Sequence, residues 1–188
     1  MKIERYKIIN FLINNSLFLK NYFDNLVFRY KQRGESCMAY DVLQIANWFL
    51  SKGPMTNKKL QKLCYYSQAW YCTLFPGRKL IDGDFEAWIH GPVHPKLYRW
   101  FSAYGWSEIP LQKNIDAVTD SSITEFLDTI FNTFAQYTAD QLEAMTHAEK
   151  PWKEARQGYN DDEPCENVIS IQSMVDFYSK VAENAQLE

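Results

Sequence analysis

Three histidines, a few well-placed carboxylates and a lysine cluster are the residues of this chain whose types and spacing could do chemistry. His90 and His94 stand four positions apart, a separation at which two imidazoles on one helix face can share a metal, with His147 as a possible third ligand. Gly91, Pro92 and Pro95 interrupt that stretch, so no helix is expected to align the pair, and surface or capping roles are the plainer reading. His147 and Glu149 suggest an acid–base pair. Two residues apart they do not face each other on a helix, although a loop could bring them together. There is no nucleophile elbow, no glycine-rich phosphate loop and no carboxylate pair in a distinctive context. The expectation is therefore no catalytic residue, no metal and no cofactor. Lys58, Lys59 and Lys62 lie among aromatics in "TNKKLQKLCYYSQAWY" (Thr56 to Tyr71), a mixture that can serve nucleic-acid binding. The plainer expectation is a solvated lysine face, with Leu60, Leu63 and Trp70 packing beneath it.

Bulk composition narrows the classes. The 188 residues suit one domain, and 46% hydrophobic with 16% aromatic content can fill a core. The net charge of −3 is uneven: residues 1–37 hold seven Lys/Arg against three Asp/Glu, and the remainder holds 13 against 20. An acidic body is a poor binder of a phosphate backbone, so nucleic acid is not the expected partner. The cysteines Cys37, Cys64, Cys72 and Cys165 form no C-x-x-C pair and read as reduced thiols, which favours a cytoplasmic location. No apolar run reaches the roughly 18 residues of a membrane span, and the Ile8 to Leu19 stretch is broken by asparagines and lacks a cleavage site.

Residues 1–37 differ in composition from the rest of the chain, with 20 of the 37 being Phe, Ile, Tyr, Asn or Lys. Arg33-Gly34-Glu35 can be encoded by a purine-rich ribosome-binding sequence just upstream of Met38. The expectation is that this N-terminal extension is a misannotated leader and that the domain comprises residues 38–188. The competing reading is an amphipathic helix carrying Ile8, Phe11, Leu12, Leu19, Tyr22, Phe23 and Leu26.

The elements that must position these residues are mostly helical. Val42, Ile45, Ala46 and Phe49 recur at helical spacing before Gly53-Pro54. Thr56 can cap a second helix with the stripe Leu60, Leu63, Cys64, Ser67, Trp70, Tyr71 and Leu74, ended by Pro76-Gly77. "KLI", a turn at Asp82-Gly83-Asp84 and "FEAWI" predict a small β-hairpin. Pro95 suits the first position of a helix carrying Leu97, Tyr98 and Phe101. Ser122-x-x-Glu125 and Thr138-x-x-Gln141 predict capping boxes. The first opens the face Ile123, Phe126, Leu127, Ile130, Phe131 and Phe134. Pro151 starts a further short helix, "NDDEPCEN" reads as a solvated loop, and Ile171, Met174, Val175, Tyr178 and Val181 mark a last helix. The predicted fold class is mainly α: a single compact helical domain with a small β-hairpin insertion. Helix, helix, hairpin and helix in that order loosely resembles a winged helix-turn-helix.

Three motifs occur together: "KLQKLCYYSQAWY" (Lys59 to Tyr71), "FEAWIHGPVHPKLYRWF" (Phe85 to Phe101) and "LEAMTHAEKPWKEAR" (Leu142 to Arg156). In order and spacing they resemble the Panacea domain of SocA-like and GepA-like proteins, which are common on prophages and other mobile elements. The resemblance covers about Met38 to Ser179, with Cys64 and Ser67 at positions that usually hold other small or aliphatic residues.

It implies an antitoxin that neutralises a toxin encoded nearby by direct protein–protein contact. One branch of the family instead delivers its toxin to a cytosolic protease. A DNA-binding regulator is the other alternative, and an enzyme comes last. The residues it marks as toxin-binding or signature scaffold are Lys59, Gln61, Lys62, Tyr65, Trp88, Gly91, Pro92, Val93, Thr146, His147, Glu149, Pro151, Trp152 and Arg156. In that reading "HAEK" is an ordered corner beside a "GPV" turn. Trp152 packs back near Trp88, and Arg156 pairs with Glu149 or Glu154.

Overall fold

A computed structural model of the chain describes residues 39–112 and 116–184. The expectations for residues 1–37 lie outside the described residues. The architecture is mainly α, with seven α-helices and two small two-stranded sheets among the described residues. The helices are α1 (Val42–Leu50), α2 (Asn57–Leu74), α3 (Pro95–Phe101), α4 (Ser121–Phe134), α5 (Ala139–Ala148), α6 (Lys150–Ala155) and α7 (Ile171–Asn184). Strand β1 (Met55–Thr56) pairs antiparallel with β4 (Glu108–Ile109), and β2 (Glu86–Trp88) pairs antiparallel with β3 (Gly91–Val93).

Everything is organised around α2. Its 18 residues extend about 27 Å, and helices α1, α3, α4, α5 and α7 all pack on it. The stripe read from sequence understates it, because burial runs round the whole helix from Leu60 to Cys72. Tyr66 stacks on Phe134 with centroids 4.1 Å apart, and Trp70 meets Tyr178 at 5.1 Å. Such aromatic pairs contribute about 0.5–1.5 kcal/mol each beyond their area. Because α2 is enclosed, its polar side chains serve the backbone of the irregular segment that crosses it. The Gln68 carbonyl accepts from the Leu80 and Ile81 N–H groups at 3.0 and 2.8 Å. The Gln61 carbonyl accepts from His94 N–H at 2.8 Å. Without these acceptors the buried N–H groups of a non-helical segment would be orphaned.

Most predicted helix starts are found. Thr56 caps α2 by accepting from Lys59 N–H, and Thr138 with Gln141 forms a complete capping box on α5. Helix α4 differs: its cap is Asp120, which accepts from Ser122 and Ile123 N–H groups, so the helix opens at Ser121 and the Ser122-x-x-Glu125 box does not provide the cap. An aspartate two residues earlier reaches two amides at once and so satisfies two of the helix's free N–H groups.

The predicted hairpin is corrected. Leu80 and Ile81 do not pair with "FEAW". Tyr40 takes that place, through Tyr40 N–H to Leu80 C=O and Asp82 N–H to Tyr40 C=O, both 2.8 Å. The hairpin lies one segment later, with Glu86 opposite Val93, Ala87 opposite Pro92 and Trp88 opposite Gly91. Gly91 closes the two-residue turn at φ +91°, a conformation that favours glycine. "GPV" is thus a strand rather than a turn. The segment 167–169 lies along the other edge of β2, with Ala87 N–H donating to Asn167 C=O at 2.9 Å.

Candidate functional site

The signature residues converge where α2, the β2–β3 hairpin and the α5–α6 corner meet. Glu149 is the single residue between α5 and α6, in extended conformation, and Pro151 sits in the first turn of α6. The "HAEK" corner is ordered as expected. Trp152 is buried, and its indole N–H donates to the Trp88 carbonyl at 3.0 Å, fastening the corner to the hairpin. His147 stacks on the Trp152 ring at 3.9 Å and 17°. Arg156 lies 4.9 Å from that ring's centroid.

Arg156 corrects the expected ion pair. It bonds neither Glu149 nor Glu154. Its guanidinium donates to the carbonyls of Ala87 at 2.8 Å, Asn160 at 2.6 Å and Glu163 at 2.6 Å, tying the hairpin to the acidic loop. A planar fork of five donors suits several carbonyls at once. Glu154 instead pairs with Lys150 and with the Ser173 hydroxyl. Glu149 is fully enclosed and accepts from the hydroxyls of Tyr66 at 3.1 Å and Tyr178 at 2.6 Å. Burial pushes its carboxyl up to about 7, against the pull of the Tyr178 and Tyr66 hydrogen bonds.

The lysines also depart from expectation. Lys62 is 0% exposed and donates to the Pro92 carbonyl at 3.1 Å. Burial lowers it to about 7, with the Glu143 charge opposing. Lys59 donates to the Ala135 carbonyl at the end of α4 at 2.7 Å, and Lys58 pairs with Asp140 at 2.6 Å and with Glu143. The anticipated solvated lysine face is replaced by three intramolecular attachments, that of Lys58 to Asp140 at the surface. An ideal Cβ on Gly91 would lie 2.7 Å from Lys62 Cε and 2.8 Å from Thr146 Oγ1. Tyr65 packs edge-on against Phe85 at 5.7 Å.

The three histidines serve separate places. His94 Nε2 lies 2.9 Å from the Asp82 carbonyl, His90 Nδ1 lies 3.2 Å from Glu143, and burial lowers His147 to about 4. Among the described residues no group of three or more His, Cys, Asp or Glu side chains is arranged to hold a metal.

Four signature residues, Gln61, Lys62, Trp88 and Val93, also line an open groove of about 510 Å³. The rest of its wall includes Lys58, His90 and Tyr98, read from sequence in other roles, and Trp106 and Glu166, which sequence reasoning did not single out. Trp106 is 71% exposed, Trp100 66% and Tyr98 43%. Of the exposed large hydrophobic residues among those described, all but Leu111 come from segments 98–106 and 159–168, the two segments that contribute Tyr98, Trp106 and Glu166 to the groove. A signal for the groove is present in the sequence: Tyr98, Trp100, Tyr104 and Trp106 fall in a short helix and its exit loop, more aromatics than one buried face can use. No helix among the described residues is long and apolar enough to cross a membrane.

Comparison with known proteins agrees with this arrangement of motifs. Residues 60–153 match the family described as "Antitoxin SocA-like, Panacea domain". The chain is 36% identical over 129 residues to Antitoxin SocA of Caulobacter vibrioides (strain NA1000 / CB15N), covering 60% of this chain and 68% of that protein. No solved structure matches. The chain belongs to the SocA-like antitoxin family and carries its Panacea domain.

Proposed function

We propose that this antitoxin neutralises a toxin encoded nearby by binding it directly, and that the groove bounded by residues 98–106 and 164–166 is the contact surface. The observation that carries this reading is the concentration of exposed aromatics in segment 98–106, of which Tyr98 and Trp106 line the groove. Soluble proteins seldom leave several large rings together in water without a partner, and Trp and Tyr are the residue types that dominate binding energy at interfaces. The groove is also well supported. Its floor is held by Gln61, Lys62 and the hairpin, whereas β4 anchors the end of the aromatic arm to β1 at the start of α2. A rigid surface binds with less ordering cost than a mobile one.

In this reading the signature residues divide. Tyr65, Thr146, Glu149, Pro151, Trp152 and Arg156 hold the scaffold, and Lys59 ties α2 to α4. Gln61, Lys62, Trp88 and Val93 present the groove, with Gly91 and Pro92 shaping the strand beneath it. The lysines that favoured a DNA-binding regulator are each held by intramolecular partners, Lys62 in the interior, Lys59 at the end of α4 and Lys58 by the surface carboxylate of Asp140, which supports the toxin-binding reading over the regulatory one.

The test is a growth assay in which the adjacent gene is induced with and without this protein, and with its Trp106→Ala variant. Toxicity relieved by the wild type and restored by a stably folded variant is expected. Relief that is identical with both proteins would remove the groove as the contact surface. A harmless neighbour would remove the toxin.

A further inference from the structure

Resting on the reading of the groove as the toxin contact, we propose that its occupant is a basic segment of the partner, with a cationic side chain set against Trp106 and Glu166. Three features of the groove point to this chemistry. The loop 160–167, which lends Glu166 to the groove's lining, carries Asp161, Asp162, Glu163 and Glu166, all exposed, and none forms a salt bridge among the described residues. That loop is fixed rather than loose. Arg156, only 4% exposed, grips the carbonyls of Asn160 and Glu163 from beneath, and Asn167 Nδ2 donates to the Ala155 carbonyl at 2.9 Å. One buried cation under four carboxylates leaves the loop negative, with its shape set before any partner arrives.

The groove's own cations are already engaged. Lys58 is held by Asp140 and Glu143, His90 lies against Glu143, and the Lys62 amine is buried against Pro92. Trp106 meanwhile offers an exposed ring, with Lys58 Nζ 5.8 Å from its centroid and the His90 ring edge-on at 5.5 Å. An electron-rich ring and an unpaired carboxylate lining one groove suit a guanidinium or ammonium group. The acidic balance of the chain beyond residue 37, 13 basic against 20 acidic residues, adds long-range attraction for a basic partner.

The experiment is calorimetric titration of the full chain with the purified product of the adjacent gene, in 50 and 300 mM NaCl. Three proteins are compared: wild type, Trp106→Ala, and the triple variant Asp161→Asn, Asp162→Asn, Glu166→Gln. All four altered side chains are exposed, and thermal melts establish that each variant is folded. The expected result is at least a tenfold loss of affinity for the triple variant at low salt, together with a flatter salt dependence than wild type. Trp106→Ala is expected to weaken binding at both salt concentrations. If Trp106→Ala weakens binding while the triple variant matches wild type at both, the groove remains the contact and the cationic occupant is wrong. Tighter binding by the triple variant would point to an acidic segment and overturn the proposal. Wild-type affinity in both variants would remove the groove itself.

Discussion

The corner formed by α5, α6 and the hairpin meets the arm running from Tyr98 to Trp106 through the Trp88–Tyr98 ring contact, and the two are built on opposite principles. At the corner, aromatic and polar groups are enclosed and tied to one another: Trp152 to Trp88, Arg156 to Ala87, and Glu149 to two tyrosines. Along the arm, rings stand in water, and Trp106 keeps 71% of its surface exposed. The contrast separates enclosed scaffold from exposed surface, within a stretch that the family match largely covers. A corner with this many mutual constraints tolerates little change, whereas exposed rings can be exchanged without disturbing the core.

The contrast is challenged most forcefully at the corner. Trp152→Ala removes a buried indole, its bond to the Trp88 carbonyl and the platform under His147 and Arg156. A loss of about 3–5 kcal/mol of stability is expected by chemical denaturation. A loss below about 1 kcal/mol would show that the corner is not a scaffold.

Glu149 gives the next effect. Its folded value of about 7 lies above the 4.5 of an ordinary glutamate, so the folded protein holds a proton that the unfolded chain has released between those values. Stability from the neutral form is fully present below pH 4.5 and is lost as pH rises through 7. His147, lowered to about 4 from 6.5, acts with the opposite sign between those two values. The comparison with Glu149→Gln isolates the glutamate. Relative to wild type, the variant is expected to gain on the order of 2 kcal/mol between about pH 5 and pH 8. A constant difference across that range would contradict an ionisable group buried there.

Gly91→Ala probes the boundary between the two regions. The backbone at φ +91° and the approach of Lys62 and Thr146 both oppose a side chain, and a cost of about 1–3 kcal/mol is expected from thermal melts. Trp106→Ala should show the smallest effect on folding, under about 0.5 kcal/mol, despite its expected effect on binding. A large destabilisation would make Trp106 part of the scaffold.

How much of this is legible in the sequence depends on how each element is buried. Helices α1, α4 and α7 show one apolar face and are readable from period alone. Helix α2 is readable as a helix but not as the centre of the fold, because enclosed polar residues such as Gln61, Lys62 and Gln68 look like a solvated face. The hairpin is misplaced because positive-φ glycines occur at both Gly83 and Gly91, and only tertiary pairing with Tyr40 decides between them. The approach of Trp152 to Trp88 follows from the resemblance, yet the carbonyls gripped by Arg156 do not, since carbonyl partners leave no mark in residue types. The surplus of aromatics at 98–106 is the groove's one mark in the sequence; its shape is not legible, because α2, the hairpin, the aromatic arm and the acidic loop are distant in sequence and meet only in the folded chain.

Hydrogen exchange on the antitoxin alone and bound to the adjacent gene's product distinguishes contact surface from scaffold in a single experiment. Binding is expected to slow exchange in residues 98–107 and 159–168, with the already enclosed 142–156 corner little changed. Protection confined to helices α4 and α7, with the aromatic arm exchanging as in the free protein, would place the toxin elsewhere and overturn the division between the two regions.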